Sequence, residues 1–420
     1  MTNVEQARKI ILRNILPLKE VEFINLNSCL GRISALDIKS KENIPPFNNS
    51  AMDGFALRAR DSVGASRQNP EIFEVIEDLP AGYIAQKAVK PNQAIRIMTG
   101  APLPRGADSV VMVEDTALVN SQQSTVNRKN CGLWTVDYGL IRIFKEVKKG
   151  ENVRYAGEDV RKGEAVIRKG SLLKSGHIGV LASLGITRIK VFRRPRVGIL
   201  ATGDELINIK RRLTPGKIRN SNTYSLYAQA QGSAALPIIL GIAGDTKREL
   251  EKKIKKGLNT DMLLVSGGIS VGDYDLVKDV LKGLGTEMKF WKVAMRPGKP
   301  LAFGMMQGVP VFGLPGNPVS SMVSFEIFVR PAILKMLGQE LDDRKEAEAV
   351  LEEDIRKKKG FKYFLRAHTR WQQGRYLTKT TGPQGSAILK SFVLANSLIV
   401  LPEEKEYVKK GEKAVVRFLD

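Results

Sequence analysis

The stretch Ser266-Gly267-Gly268-Ile269-Ser270-Val271-Gly272-Asp273-Tyr274-Asp275 sets glycines, hydroxyls and two carboxylates directly after the apolar run Met262 to Val265. Glycines let backbone N–H groups approach a phosphate, and carboxylates two residues apart can both reach a hard cation where the backbone is irregular. Aspartates here can equally cap a helix, so one of Asp273 and Asp275 is expected to cap and the other to be functional. Further on, Gly313-Leu314-Pro315-Gly316-Asn317-Pro318 forms a second turn of the same kind. Between the two lies a loop stiffened by Pro297 and Pro300 that carries Lys292, Arg296 and Lys299. Arginine can fork onto an oxyanion, while lysines act as point charges. An anion cradle, metal-binding carboxylates and cations together point to chemistry on a phosphorylated or oxyanionic substrate.

Three more segments combine charge with turn residues: Asn49-Ser50-Ala51-Met52-Asp53-Gly54, Thr99-Gly100-Ala101-Pro102 and Arg154-Tyr155-Ala156-Gly157-Glu158-Asp159. Small residues around an acid suit close ligand contact, yet each segment also fits a plain turn between strands. His177 and His368 are the only histidines, and His177 reads as a structural residue on a helix, so histidine-driven catalysis is not expected. Cys29 and Cys131 are far apart and form no C-x-x-C pattern, which fits a reducing compartment, and a cytoplasmic location is expected.

These residues need elements to position them. Val4, Ala7, Ile11 and Ile15 recur at helical spacing, with Thr2 and Glu5 as a capping box and Pro17 as the stop. Short β-like runs such as Ala94 to Met98 and Ser109 to Val113 mark residues 47–150 as a small β-rich module. That module is inserted into a helical or mixed N-terminal domain made of residues 1–46 and 151–194, which includes a helix from Ser175 to Leu184. From 195 to 335, strands at Val197 to Leu200, Ala234 to Leu240 and Met262 to Val265 alternate with helices starting near Asn222, Thr246 and Tyr274. Such alternation predicts a doubly wound parallel sheet with its ligands beyond the carboxyl ends of the strands. Residues 336–420 read as a C-terminal β domain, so the fold class is multidomain α/β.

Composition excludes several classes. The chain has 420 residues, 43% of them hydrophobic, which suits several packed domains rather than disorder. No apolar run approaches the ~20 residues of a membrane helix, and Lys9 and Arg13 interrupt the N-terminal stretch, so neither a membrane span nor a signal peptide is expected. The net charge of +23 is spread along the chain, aromatics are only 6%, and no nucleic-acid partner is expected.

Taken together, these segments resemble the molybdopterin molybdenumtransferase family, the MoeA and gephyrin E-domain type, over nearly the whole chain. The motifs that carry the resemblance run in the family's order: Pro45 to Gly54, Ile97 to Pro104, Asn152 to Asp159, Thr202-Gly203-Asp204-Glu205-Leu206, Ser266 to Asp275, Met295 to Pro300, Gly313 to Pro318, and Ala395-Asn396 followed by Leu401-Pro402. The resemblance implies insertion of molybdate, or tungstate, into adenylylated molybdopterin, with Mg²⁺-dependent release of AMP. It implies Asp53, Asp159, Asp245, Asp275, Lys292, Arg296 and Lys299 as catalytic residues, and Glu205, Asp245 and Asp275 as the Mg²⁺ carboxylates. Thr99, Arg154, Gly203, Ser266, Gly267, Gly268, Ser270, Pro315, Gly316, Asn317 and Pro318 would bind substrate. It further implies a homodimer with its site at the subunit interface, and hand-over of substrate from a separate molybdopterin adenylyltransferase. Two departures are an addition at about Asn127 to Gly139 and arginine at position 296, where some relatives carry lysine. The rival readings are a molybdopterin adenylyltransferase and a non-catalytic scaffold of the gephyrin E-domain type.

Overall fold

Apolar runs of four to seven residues alternate with amphipathic helices between residues 195 and 335, and the computed structural model shows what they build. It describes residues 1–119, 139–268, 276–339 and 344–419. Ser270, Asp273, Asp275, Cys131 and nearly all of the Asn127 to Gly139 addition therefore lie outside the described residues. The chain divides into two compact units: residues 1–24, 31–35 and 190–420 form one, and residues 25–30 and 36–189 form the other.

In the first unit, α1 (Val4–Asn14) buries Val4, Ala7 and Ile11. Its cap is Asn3, whose side chain accepts the Gln6 N–H at 2.7 Å, and not Thr2 as the spacing predicts. The backbone of Thr2 is extended and bonded on both sides, donating to the Lys292 carbonyl at 3.3 Å and accepting from the Ala294 N–H at 2.8 Å. This helix belongs to the same compact unit as residues 190–420.

The central sheet contains β1 (Arg196–Thr202), β2 (Leu236–Ala243), β3 (Met262–Ser266), β4 (Glu287–Phe290), β6 (Ala302–Met306) and β7 (Val309–Leu314), in the order β2-β1-β3-β7-β6-β4. Helices α2 (Asn222–Gly232), α3 (Lys247–Gly257) and α4 (Leu276–Gly283) connect its first strands. The pairs β2–β1, β1–β3 and β3–β7 are parallel, while β6 pairs antiparallel with both β7 and β4. The sheet is thus mixed where the alternation predicts parallel. Between β6 and β7 the chain turns on Gln307 and Gly308, both at positive φ, and a turn this tight can only join antiparallel neighbours. Leu200, Val265, Val277, Val280 and Leu281 are fully or almost fully buried in the core between sheet and helices. Each such side chain contributes roughly 1.5–3 kcal/mol by leaving water.

After β7 the chain enters α5 (Pro318–Ser324), a π-helical turn at Phe325–Val329, and α6 (Arg330–Met336). The C-terminal strands β8 (Glu346–Leu351), β9 (Lys362–Gln372), β10 (Arg375–Thr380), β11 (Ser397–Leu401) and β12 (Lys413–Phe418) pair in the order β9-β10-β8-β12-β11, and β11 pairs back onto β9 to close the ring. The short strand β5 (Met295–Arg296) adds to β9 in parallel, with Arg296 opposite Tyr363. Buried Glu326, on the π-helical turn, takes the Arg344 guanidinium at 2.8 Å and ties this turn to the start of the C-terminal segment.

In the second unit, the strands Gly54–Leu57, Glu71–Leu79, Gln93–Ile97, Ser109–Met112, Thr116–Leu118 and Leu140–Ile143 form one sheet. Period-two alternation puts Phe55 and Leu57 on one buried face and Ala56 on the other. Gly54 has no alternative, since a Cβ there would lie 1.9 Å from the Val111 carbonyl oxygen of the paired strand. His177 accepts the Lys174 N–H at 3.1 Å at the start of its helix, which is a structural role. No helix among the described residues is long and apolar enough to cross a membrane.

Arg193 and Asp261 clamp the amino ends of β1 and β3. Two guanidinium bonds of 2.6 and 2.8 Å reach the carboxylate, which also accepts the Arg196 N–H at 2.7 Å. Burial pushes the Asp261 carboxyl up, but the bonds from Arg193 and Arg196 outweigh it and leave the group below the usual range. A depressed carboxyl contributes stability that is present above the unfolded value, ~4, and is lost as pH falls through the folded one. Asp261→Asn should therefore lower the melting temperature by several degrees at pH 7. By pH 3 the gap to wild type should narrow. A gap of equal size at both pH values would show that the carboxylate charge is not what holds the clamp.

Candidate active site

The parallel register lines up the carboxyl ends of the strands: Ala201 stands opposite Ser266, Ser266 opposite Leu314, and Thr202 opposite Ala243. The turns that follow must share one edge, and they open onto a cleft of about 1080 Å³. Thr202, Glu205, Ser266, Gly267, Gly268 and the whole Pro315-Gly316-Asn317-Pro318 turn line it. The two glycines are obligatory. Gly267 has φ +96° and a Cβ there would lie 2.3 Å from the Thr202 carbonyl oxygen, while a Cβ at Gly268 would lie 2.5 Å from Val277. Close approach of neighbouring turns, not only space for a ligand, thus explains this pair.

Asn222, on the first turn of α2, latches the turns together. Its Nδ2 donates to Ser266 Oγ at 3.0 Å and to the Gly316 carbonyl at 2.7 Å. On the acidic side, Asp245 accepts the Thr202 hydroxyl at 3.2 Å and the Asp204 N–H at 3.2 Å, and its own N–H donates to Asp204 Oδ1 at 3.0 Å. Gly203 sits within this clasp at φ +143°. Among the described residues no three acidic, histidine or cysteine side chains are grouped to hold a metal ion. Glu205 and Asp245 are the described members of the expected Mg²⁺ set and do not form a complete site by themselves.

On the basic side, Arg296 and Lys299 line the cleft together with Pro297, Gly298 and Pro300. Lys292 is exposed and is not among the lining residues, so the loop brings two of its three cations to the cleft. A further cation comes from the C-terminal ring. Arg366 on β9 is fully buried, donates to Ser391 Oγ at 3.0 Å and to the Gly385 carbonyl at 3.1 Å, and lines the same cleft. Its Nη1 has no hydrogen-bond partner in the protein. Burial pushes its pKa down to about 10, so it remains charged at neutral pH. A buried donor left unmet costs about 1–3 kcal/mol, so this guanidinium is a buried charge behind the cleft wall.

The second unit assembles the other three motifs. Asn49 and Ser50 pair with Arg154 and Val153, and the Thr99 to Pro102 turn joins them through the Gly100 N–H on Ser50 and the Asn49–Pro102 bridge. Asp53 Oδ1 accepts both the Thr99 N–H at 2.7 Å and the Thr99 hydroxyl at 2.8 Å. These two bonds, the backbone one first, hold the Asp53 carboxyl below its usual range. Arg154 and Asp159 are exposed, and the Asp159 N–H donates to the Ile44 carbonyl at 3.0 Å. Asn222 and Arg366 are absent from the sequence-based set. The run Asn220 to Thr223 reads only as a helix start, and an arginine among strand residues carries no mark of burial.

Comparison with known proteins agrees with this architecture. Residues 2–185 match the MoeA N-terminal region (domain I and II), residues 198–335 the "probable molybdopterin binding domain", and residues 348–419 the MoeA C-terminal region (domain IV). Molybdopterin molybdenumtransferase of Bacillus subtilis is 39% identical over 91% of this chain and 86% of its own length. That of Haemophilus influenzae is 36% identical over 99% of this chain and 98% of its own. The solved structure of the molybdopterin biosynthesis moeA protein from Pyrococcus horikoshii superposes with a TM-score of 0.83 at 29% identity, covering all of both chains. The chain belongs to the molybdopterin molybdenumtransferase family.

The clasp on Asp53 is open to test. In Thr99→Val the hydroxyl bond is gone while the backbone N–H remains, so the Asp53 carboxyl should titrate at higher pH than in the wild type without reaching the range of a free carboxylate. Carbon-detected NMR of the labelled carboxyl reads this directly, and an unmoved titration would mean that the hydroxyl contributes nothing.

Proposed function

We propose that this chain is a transferase that inserts molybdate, or tungstate, into adenylylated molybdopterin and releases AMP. The observation that carries the reading is the convergence of Arg296 and Lys299, with the buried Arg366 in the wall, on one cleft whose other strand ends bring Glu205. Family membership names the substrate class, and the cleft's chemistry suits it. A tetrahedral dianion and a phosphoanhydride repel each other, by about 4 kcal/mol for unit charges 4 Å apart near a protein surface, and flanking cations offset this. In the overall change, two molybdenum–sulfur bonds form as one oxo group leaves as water with the two thiol protons, and the phosphoanhydride P–O bond breaks as a second water adds across it.

The residues divide the work. Arg296 and Lys299 bind the oxoanion and hold it against the dithiolene, with the buried charge of Arg366 behind them. The glycine turns and the Pro315 to Pro318 turn shape the walls for the pterin and phosphate, kept in place by Asn222. Glu205 and Asp245 would join Asp275 in holding Mg²⁺, which when bound supplies charge neutralisation at the phosphoryl group. In a homodimer, Asp53 and Asp159 would face the other subunit's doubly wound domain and orient the pterin or a water there. Catalysis then rests on positioning and preorganised charge rather than on a histidine base.

With adenylylated molybdopterin and molybdate supplied, the purified protein should release AMP, and chelation of Mg²⁺ should stop it. Lys299→Ala should raise the molybdate concentration needed for half-maximal release by about ten-fold or more, the effect of losing one charge-assisted contact. AMP release with no dependence on molybdate would contradict this assignment, and full activity in chelator would remove Mg²⁺ from it. We also propose that the active form is a homodimer with the site at the subunit interface. Specific activity should then fall on dilution over the range in which sedimentation detects dissociation. Undiminished activity of the monomer would end that proposal.

A further inference from the structure

Arg296 and Lys299 share one aromatic neighbour. The Arg296 guanidinium carbon lies 5.0 Å, and the Lys299 ammonium nitrogen 5.8 Å, from the centre of the Phe361 ring. Both distances fall within the range in which a ring face attracts a cation. Phe361 comes from a different part of the chain, immediately before β9, yet its placement is fixed. The Lys362 N–H donates to the Ala294 carbonyl at 3.0 Å, and Met295 and Arg296 pair with Lys362 and Tyr363. The ring is half-buried, does not line the cleft, and is not among the core side chains of the C-terminal ring. A phenylalanine in neither core nor cleft needs another reason for its position, and the two cations supply one.

We propose that Phe361 is a positioning residue for oxoanion capture: its ring holds Arg296 and Lys299 in the orientation that receives the tetrahedral oxoanion. A guanidinium laid against a ring keeps its in-plane N–H groups for a forked acceptor, and a lysine held by the same ring loses part of the rotamer freedom it would otherwise give up on binding. The ring thereby acts on affinity for the oxoanion and not on the bond-breaking step. This inference rests on the oxoanion reading of the cleft, and its test separates the two.

The experiment measures calorimetric binding of molybdate to wild type, Lys299→Ala, Phe361→Leu and Phe361→Tyr, together with kcat and the KM for molybdate in AMP release. Expected are binding by wild type, a Kd weaker by about ten-fold or more in Lys299→Ala, and about a 3- to 10-fold weaker Kd and higher KM in Phe361→Leu with kcat unchanged. Phe361→Tyr, which keeps a ring face, should restore both constants. If Phe361→Leu binds as wild type does, or if its kcat falls while KM stays, the positioning role is wrong and the oxoanion reading stands. The same conclusion follows if the leucine variant only melts earlier. If Phe361→Tyr is as weak as the leucine variant, the ring face is not the agent and the proposal fails. A wild type that binds no molybdate, alone or with AMP present, overturns both.

Discussion

The pairing of β5 with the start of β9 holds the basic half of the cleft together. Two residues of the cationic loop, Met295 and Arg296, run beside Lys362 and Tyr363, so a loop that emerges from the α/β sheet is also an edge strand of the C-terminal ring. Through this pairing Arg296, Lys299 and Arg366 arrive from two sheets at one place. Without it the loop would be a solvated charged turn, which is the usual fate of such a segment. The same strand supports Arg366 from within: its backbone N–H donates to Gln384, and its guanidinium is held by Ser391 and Gly385. A single strand therefore sets the spacing between a buried cation and two partly solvated ones.

Magnitudes separate what these cations do. An exposed Lys or Arg attracts a dianion weakly, because water and salt screen it, whereas a buried guanidinium with an open donor acts across a lower effective dielectric. The acidic strand ends work in the opposite sense. The reciprocal bonds between Asp204 and Asp245 draw two carboxylate-bearing turns together, and Lys217 donates to the Asp204 carbonyl at 2.6 Å from the adjoining loop. Neither Asp204 nor Asp245 lines the cleft, so this clasp fixes the turn that brings Glu205 to it, while the far side of the cleft carries Arg296 and Lys299. A substrate with a metal-bridged phosphate at one end and an oxoanion at the other fits such a division.

The parts of this architecture legible in sequence were those with local rules. Periodicity and glycine placement located β1, β3, α2 and α3, and the principle that ligands lie beyond strand ends brought the Thr202, Ser266 and Gly313 turns to one edge. Long-range partners were less legible. Nothing local tells that Lys292 stays outside the cleft while Arg296 and Lys299 line it, because that depends on which loop residues face β9. Arg366 sits in a run buried on both faces, Phe364 to Ala367, and its own burial becomes evident only once β11 pairs with this strand. The antiparallel edge was readable in principle from Gln307-Gly308, a turn pair suited to positive φ, but the dominant strand–helix rhythm outweighs so short a signal.

Asp53 shows why position alone does not assign a role. The motif fits a catalytic acid, yet both Thr99 bonds favour its ionised form, and a carboxylate stabilised in this way is a weaker proton acceptor than a free one. A general base works best with a pKa near the operating pH, which needs a carboxyl pushed up by burial, the opposite of what Thr99 does. Asp53 is also exposed, and the two Thr99 bonds outweigh the desolvation that opposes the shift. The side chain is therefore suited to accept hydrogen bonds with a fixed geometry and a constant charge across the physiological range. Orientation of a polar group, such as a pterin N–H, asks for those properties, and proton abstraction does not.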